Sequence, residues 1–179
     1  DRGIHCSLAG DVLDAILDAA GQKGTGRWAV QSAADLEVPA TLVAEALFAR
    51  ALSARREERV AASAILRGPA PAVSGERVAL IADIEHALYA AKIASYAQGF
   101  LLLRRAAAEY SWPLDLGGIA RLWRAGCIIC SRFLGEVLSA FAGRPDLPSL
   151  LLHDFFREAL ARCQPGWRRT VARAVEWGI

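Results

Sequence analysis

One long apolar stripe most constrains the fold of this chain. Its members recur every three or four residues, the spacing of one helix face, along a segment that predicts a helix from about Glu76 to Tyr110: Tyr89, Ile93, Tyr96, Phe100 and Leu103. The other periodic segments also have helical spacing, and no stretch alternates apolar and polar residues between turn signals as strands do. We therefore predict an all-α fold with this stripe in the core or at a subunit interface.

Glycines and prolines divide the rest of the chain into further helices. Before the stripe, the pattern predicts helices over 11–20 and 26–37, another opened by Pro39, and a loop over 68–75. After the stripe it predicts a second long helix from Leu116 towards Phe141 and two shorter helices over 149–163 and 165–177, separated at Gln164-Pro165. The prediction is a multi-helix domain with two long core helices.

Length and composition indicate one domain over residues 1–179 and exclude several partners. The chain has 179 residues, of which 54% are hydrophobic, enough for one good core. Its 21 basic and 19 acidic residues leave a net charge of +2, which gives no electrostatic case for nucleic acid or an anionic membrane. The longest apolar stretch, from Ile93 to Leu103, is shorter than the roughly 20 residues that cross a bilayer. We predict neither nucleic acid nor membrane as a partner.

The four cysteines are too few and too scattered for a disulfide framework, which favours a reducing, cytoplasmic location. Cys127 and Cys130 form a lone C-x-x-C without a second pair or a histidine at ligand spacing, so buried thiols are favoured over a metal or redox site. The three histidines lie far apart, and none has a triad partner at a typical spacing. We predict no metal site and no catalytic residue within this chain.

Residues 21–28 read Gly-Gln-Lys-Gly-Thr-Gly-Arg-Trp and are typical of an anion-binding helix start. Glycine permits positive φ and close backbone approach, and Thr25 could cap the N–H groups of the next turn. Lys23 adds positive charge where the helix dipole already favours an anion. The pattern alone leaves two interpretations open: a turn that binds no ligand, which is common, and a phosphate site.

Arg50 is the second candidate for this site. It falls in the same stripe of the third helix as Ala46 and Leu47, where a guanidinium needs an anion. That anion is either a ligand or an intrachain carboxylate such as Glu45, and the pattern alone does not separate the two. The charged run over 55–59, which includes Arg59, predicts a solvated surface face.

Several segments together resemble one family, the decarboxylating 6-phosphogluconate dehydrogenases. They follow in order and at family-like spacing: AGQKGTGRW (20–28), VPATL (38–42), EALFARALS (45–53), ALYAAKI (87–93), SYAQGF (95–100), GGIARLWRAGCII (117–129), LLLHDFF (150–156) and WRR (167–169). The resemblance covers nearly the whole chain.

The resemblance implies an enzyme that oxidises 6-phosphogluconate at C3 with NADP and releases carbon dioxide to give ribulose 5-phosphate. It implies a homodimer whose subunits have an N-terminal Rossmann domain and a helical C-terminal domain. Residues 1–179 are then expected to be most of that helical domain, which binds substrate and dimerises. By match, Lys23, Thr25 and Arg50 contact the phosphate end of 6-phosphogluconate.

The chain also departs from the family pattern. It has no counterpart of the catalytic K-x-x-H-N-G-I-E-Y segment or of the Rossmann glycine fingerprint. We therefore expect NADP to be bound mainly by an N-terminal domain that this chain does not include. The chain begins at Asp1 and has no methionine, which indicates a piece of a longer protein, inactive alone.

Two residues differ from those that many family members have at the same positions. Cys130 stands where many members have arginine, and Arg27 where many have lysine. The alternative to an enzyme is a non-catalytic helical module that binds a phosphorylated metabolite or mediates assembly.

Overall fold

A computed structural model describes residues 15–68, 73–124, 127, 129 and 131–179. Within these residues the chain forms α-helices and short 3₁₀ segments, and no strand, so the all-α prediction is confirmed. The helices are α1 (Thr25–Asp35), α2 (Thr41–Ala54), α3 (Arg56–Ile65), α4 (Arg77–Glu109), α5 (Leu116–Arg124), α6 (Phe133–Gly143), the 3₁₀ helix (Leu150–Leu152) and α7 (Asp154–Glu176). None of these helices combines the length and apolar character that crossing a bilayer requires.

The long helix α4 organises the fold and confirms the prediction over 76–110. Glu76 is its N-cap, and the carboxylate accepts hydrogen bonds from the backbone N–H groups of Val78 at 3.0 Å and Ala79 at 2.8 Å. These two bonds hold the pKa of Glu76 below its ordinary value. The cap therefore satisfies two of the N–H groups that every helix start leaves open.

The predicted apolar stripe of α4 lies in the main core. Ile93 and Phe100 are fully buried, and the other three members pack half-buried against the same cluster. The largest buried side chains that complete this core come from α6, α7 and the segments between them: Phe133, Phe141, Leu147, Leu150 and Phe156. Burial of so much apolar surface along one helix is the main stabilising contribution to the fold.

An ion cluster around the buried Asp83 ties α7 to α4. Asp83 is only 5% exposed, and Arg169 binds it in a fork, with Nε 2.9 Å from Oδ2 and Nη2 2.5 Å from Oδ1. Arg173 adds a third hydrogen bond, from Nη1 to Oδ2 at 2.8 Å. The hydrogen bonds from Arg169 contribute most to holding the pKa of Asp83 below its ordinary value.

The two helices approach closely beside this cluster because α7 has a glycine there. A Cβ at Gly166 would lie 2.8 Å from Nδ1 and 2.9 Å from Cβ of His86, and 3.1 Å from Oδ1 of Asp83. The first two distances are too short for any real Cβ, so only glycine fits this crossing without a shift of the helices.

The predicted break at Gln164-Pro165 is wrong, because α7 runs through Pro165 as one helix. A proline inside a helix removes one hydrogen bond, which leaves the carbonyl of Ala161 without its donor. Pro165 and Ala161 are both exposed, so water can satisfy that carbonyl. The buried face formed by Cys163 and Gly166 continues on both sides of the proline.

The predicted second long helix from Leu116 towards Phe141 is also wrong, because it is two helices, α5 and α6. Ser131 starts α6 anew: its hydroxyl accepts the N–H of Phe133 at 3.3 Å, and its carbonyl accepts the N–H of Leu134 at 3.1 Å. The two long helices of the core are thus α4 and α7.

A smaller core joins α1 and α2 to the C-terminal half of α4, and its buried members are Ala33, Leu36, Val38, Ala40 and Ala106. Gln98 of α4 also holds the start of α2. Its Oε1 accepts the N–H of Leu42 at 3.0 Å, and its Nε2 donates to Oγ1 of Thr41 at 3.0 Å. Because Ala40 has no side-chain acceptor at the N-cap position, Gln98 takes over the capping role.

We predict that Gly166→Ala lowers the free energy of unfolding by about 1–3 kcal/mol, the usual range for overpacking. Gly99→Ala is the matched control: it lies in α4 with nothing within 4 Å of its added Cβ, so it should be neutral or slightly stabilising. Urea unfolding of both variants measures the difference. Equal stabilities for the two would contradict the close crossing at Gly166.

The Asp83 cluster predicts acid sensitivity. Since the pKa of Asp83 is lowered in the folded state, the unfolded chain binds the proton more tightly. The stabilisation is complete above the unfolded pKa of about 4 and is lost as the pH falls through the lower folded pKa. We expect Asp83→Asn to be less stable than the wild type at neutral pH and to lose less stability on acidification. Urea unfolding at several pH values tests this, and parallel pH profiles would contradict it.

Candidate functional site

The glycine-rich turn leads directly into α1. Gly24 is the N-cap, with φ +99°, a left-handed conformation that favours glycine, and its carbonyl accepts the N–H of Trp28 at 3.1 Å. The prediction that Thr25 caps the helix is wrong, because Thr25 is the first helical residue and no side chain caps α1. The first turn of α1 also contains no acidic residue. The helix start therefore keeps both its N–H groups and its positive dipole end for an anion.

The predicted helix over 11–20 does not extend to its end. Residues 11–14 lie outside the described part of the chain, and residues 16–20 are not helical. Two apolar side chains of this stretch, Ile16 and Leu17, are 60% and 74% exposed. This stretch therefore reaches the glycine-rich turn as a non-helical segment.

An open pocket of about 720 Å³ lies between the glycine-rich turn and α2. The structure brings the three predicted site residues together around it. Its lining is Gly21, Gln22, Lys23, Thr25 and Gly26 from the turn, and Val43, Ala46, Leu47 and Arg50 from α2. No acidic side chain is among these lining residues, so the pocket carries the charge of its two cations.

Arg50 lies at the edge of this pocket and pairs with backbone. Its Nε donates to the carbonyl oxygen of Gly21 at 2.8 Å, and its Nη2 donates to the same oxygen. Within the described residues Arg50 makes no ion pair, so the intrachain carboxylate hypothesis, with Glu45 as partner, is wrong there. Its side chain is exposed, because the stripe that includes Ala46 is itself only partly covered. Because a carbonyl oxygen carries no net charge, this pairing leaves the guanidinium charge of Arg50 uncompensated. Several of its N–H donors are also unused.

Lys23 is the second cation of the pocket. It is exposed and makes no hydrogen bond or ion pair with any other described residue. Thr25, whose hydroxyl is not used in capping, lines the same pocket. The geometry thus combines an ammonium, a guanidinium, a hydroxyl and an uncapped helix start, which is a set of donors with no competing carboxylate.

The sequence pattern did not distinguish Arg59 from its charged neighbours. Arg59, predicted on a solvated face, is only 28% exposed and binds the segment that leads into the glycine-rich turn. Its hydrogen bond lowers the pKa of Asp18 below the ordinary value. No signal in the spacing of residues 55–59 distinguishes Arg59, because its direction depends on the break at Arg55 between α2 and α3.

The described cysteines give no sign of a redox or metal site. Cys127 and Cys163 are free thiols, and burial raises the pKa of Cys163, which keeps that thiol protonated and unreactive. Within the described ranges no three His, Cys, Asp or Glu side chains converge as metal ligands. Cys130 lies outside the described residues, and so does any contact it makes with Cys127.

Comparison with known proteins agrees with this arrangement. A family model described as 6-phosphogluconate dehydrogenase, C-terminal domain, matches residues 5–179. The chain belongs to this family. The resemblance stated from the sequence is therefore confirmed.

Among similar proteins, the decarboxylating 6-phosphogluconate dehydrogenase of Drosophila melanogaster is 52% identical over 171 residues, covering 95% of this chain and 36% of that protein. The human protein of the same name is 52% identical over 169 residues, covering 94% of this chain and 35% of that protein. The chain thus spans about a third of the length of these 6-phosphogluconate dehydrogenases.

A solved structure has the same fold. It is the Plasmodium falciparum 6-phosphogluconate dehydrogenase, determined in its apo form, with its cofactor NADP⁺ and with its substrate 6-phosphogluconate. The TM-score is 0.88 at 35% sequence identity, over 94% of this chain and 36% of that one. The helical arrangement described above is therefore that of a domain within a larger 6-phosphogluconate dehydrogenase.

Proposed function

We propose that this chain supplies the phosphate-binding part of the substrate site of a decarboxylating 6-phosphogluconate dehydrogenase. The observation that carries the proposal is the pocket in which Lys23, Arg50 and the uncapped start of α1 meet without an acidic side chain. The parent enzyme oxidises 6-phosphogluconate with NADP and releases carbon dioxide, giving ribulose 5-phosphate. The names of the relatives and the ligands of the Plasmodium falciparum enzyme support this reaction.

The donors of the pocket suit a phosphate group in particular. A phosphate monoester carries a charge of about −1.5 to −2 at neutral pH and offers three acceptor oxygens. Lys23 provides a point charge, whereas Arg50 provides a planar fork that can bind two oxygens at once. The N–H groups at the start of α1 and the free hydroxyl of Thr25 complete the set. A neutral sugar would leave these charges unpaired.

Phosphate binding here serves the reaction through orientation. Anchoring one end of the sugar phosphate holds its other end in the geometry that oxidation and decarboxylation need, which replaces a costly encounter by an intramolecular step. The described residues form no strand, and the sequence has no dinucleotide-binding glycine fingerprint. NADP is therefore expected to be bound mainly by residues outside 1–179, as are the groups that carry out the chemistry.

We also propose that residues 1–179 act as a dimerisation domain in a cytoplasmic homodimer. Four apolar side chains follow one face of α4 towards solvent, each more than half exposed: Val78, Ile81, Ile84 and Leu88. An exposed apolar face of this kind is typical of a subunit interface. The free thiols of Cys127 and Cys163 agree with a reducing compartment.

The reaction is tested by assaying the protein at its full natural length. We expect reduction of NADP and release of carbon dioxide with 6-phosphogluconate, and neither with unphosphorylated gluconate. Residues 1–179 alone should show no turnover. Binding of 6-phosphogluconate by a full-length protein that turns over neither substrate would contradict the proposal and favour a non-catalytic module for a phosphorylated metabolite.

The role of Arg50 is tested by Arg50→Ala in the same protein. Loss of a hydrogen bond to a charged group costs about 1.5–3 kcal/mol, and because Arg50 is exposed we expect the lower end, a rise of about tenfold in KM for 6-phosphogluconate. Arg55→Ala is the control, since Arg55 pairs with the exposed Glu58 and does not line the pocket. An unchanged KM for Arg50→Ala would contradict the assignment.

A further inference from the structure

The segment that leads into the glycine-rich turn, residues 18–21, is called here the approach segment. It is not helical, and the side chains before it, Ile16 and Leu17, are exposed. Apolar burial therefore contributes little to fixing its position. What holds it is a group of hydrogen bonds from α2 and α3.

Arg59 of α3 makes the most extensive of these contacts. Its Nη1 donates to Oδ2 of Asp18 at 3.1 Å, and its Nη2 donates both to the backbone oxygen of Asp18 at 2.9 Å and to that of Ser53 at 3.1 Å. One guanidinium thus joins the approach segment to the end of α2. The carboxylate of Asp18 is 63% exposed, so the ion pair is screened and the two backbone contacts carry more of the positional information.

Ser53 binds the approach segment as well. Its hydroxyl oxygen accepts the backbone N–H of Ala20 at 3.0 Å. One residue later, the carbonyl of Gly21 accepts the hydrogen bonds from Arg50. Ser53 and Arg50 thus bind consecutive residues, Ala20 and Gly21, and Lys23 lies two positions after Gly21. The position of Lys23 relative to Arg50 in the pocket therefore depends on the position of the approach segment.

We propose that Arg59 and Ser53 are positioning residues for the phosphate pocket. They clamp the approach segment to α2, so that Lys23 and the start of α1 line the same pocket as Arg50. Neither residue lines the pocket itself. The inference rests on the proposed function, because it concerns the affinity of that same site.

The test uses the protein at its full natural length and compares Arg59→Ala, Arg59→Lys and Ser53→Ala with the wild type. Titration calorimetry measures the dissociation constant for 6-phosphogluconate, and steady-state kinetics measure KM and kcat. Arg56→Ala is the matched control: it removes an equal charge from the same helix, close enough to Asp18 to lower its pKa, but it makes no hydrogen bond to the approach segment.

We expect Arg59→Ala to raise the dissociation constant and KM by about tenfold, as when a charge-assisted hydrogen-bond network is lost, with kcat almost unchanged. Arg59→Lys keeps the charge but not the fork, so it should recover only part of the affinity. Ser53→Ala should show a smaller rise, and Arg56→Ala almost none. A dissociation constant for Arg59→Ala equal to that of Arg56→Ala overturns the inference while leaving the proposed function intact.

Hydrogen exchange of the peptide covering residues 18–28, in the absence of ligand, provides a second readout. We expect faster exchange in Arg59→Ala and Ser53→Ala than in the wild type and Arg56→Ala, with the peptides of α4 and α7 unchanged. Unchanged exchange over residues 18–28 overturns the clamp. If the wild type binds no 6-phosphogluconate, the proposed function fails, and the exchange result alone then decides whether the clamp exists.

Discussion

The contact between α4 and α7 is the constraint on which the rest of the structure depends. Apolar burial along α4 supplies most of the stabilisation, but it does not by itself fix how far one helix slides along the other. The buried carboxylate of Asp83 fixes the position of α7 along α4, because a shift that separated it from Arg169 and Arg173 would leave its charge buried and unpaired. Gly166 allows the close approach that brings these groups together.

The same helix then positions the candidate site from its opposite half. Gln98 of α4 caps the start of α2, and the smaller core packs α1 and α2 against α4. Arg50 and Ser53 of α2 make hydrogen bonds with the approach segment, where the chain enters the glycine-rich turn. The central helix α4 therefore supports the pocket through its contacts with α1 and α2, although the polar residues that line the pocket are exposed. Such a scaffold suits the proposed role of the pocket, which is to hold the phosphate at a fixed distance from the groups that carry out the reaction.

Much of this arrangement could be predicted from the sequence, for identifiable physical reasons. The stripe of α4 is long and strongly periodic, so both its helix and its burial follow from spacing alone. The pattern indicates Lys23, Thr25 and Arg50 as candidates for binding an anion, and the resemblance to 6-phosphogluconate dehydrogenases places them together at one phosphate. Which group pairs with Arg50 could not be predicted. The partner of Arg50 is the backbone carbonyl of Gly21, and a pattern of side chains gives no information about backbone partners.

The remaining differences come from tertiary packing that overrides local signals. Pro165 predicts a helix end, yet α7 continues because its buried face spans the proline and the freed carbonyl faces solvent. The run from Leu116 to Phe141 reads as one helix, yet Ser131 begins a new one. Arg59 has the same local sequence character as its charged neighbours, and only the turn at Arg55 directs it inward.

The proposed role of the pocket between the glycine-rich turn and α2 is to hold the phosphate end of 6-phosphogluconate. A crystal structure of the full-length protein with 6-phosphogluconate bound tests it most directly. We expect phosphate oxygens within hydrogen-bond distance of Lys23, Arg50 and the first N–H groups of α1. A phosphate bound elsewhere, or the sugar carboxylate in this pocket, would contradict it.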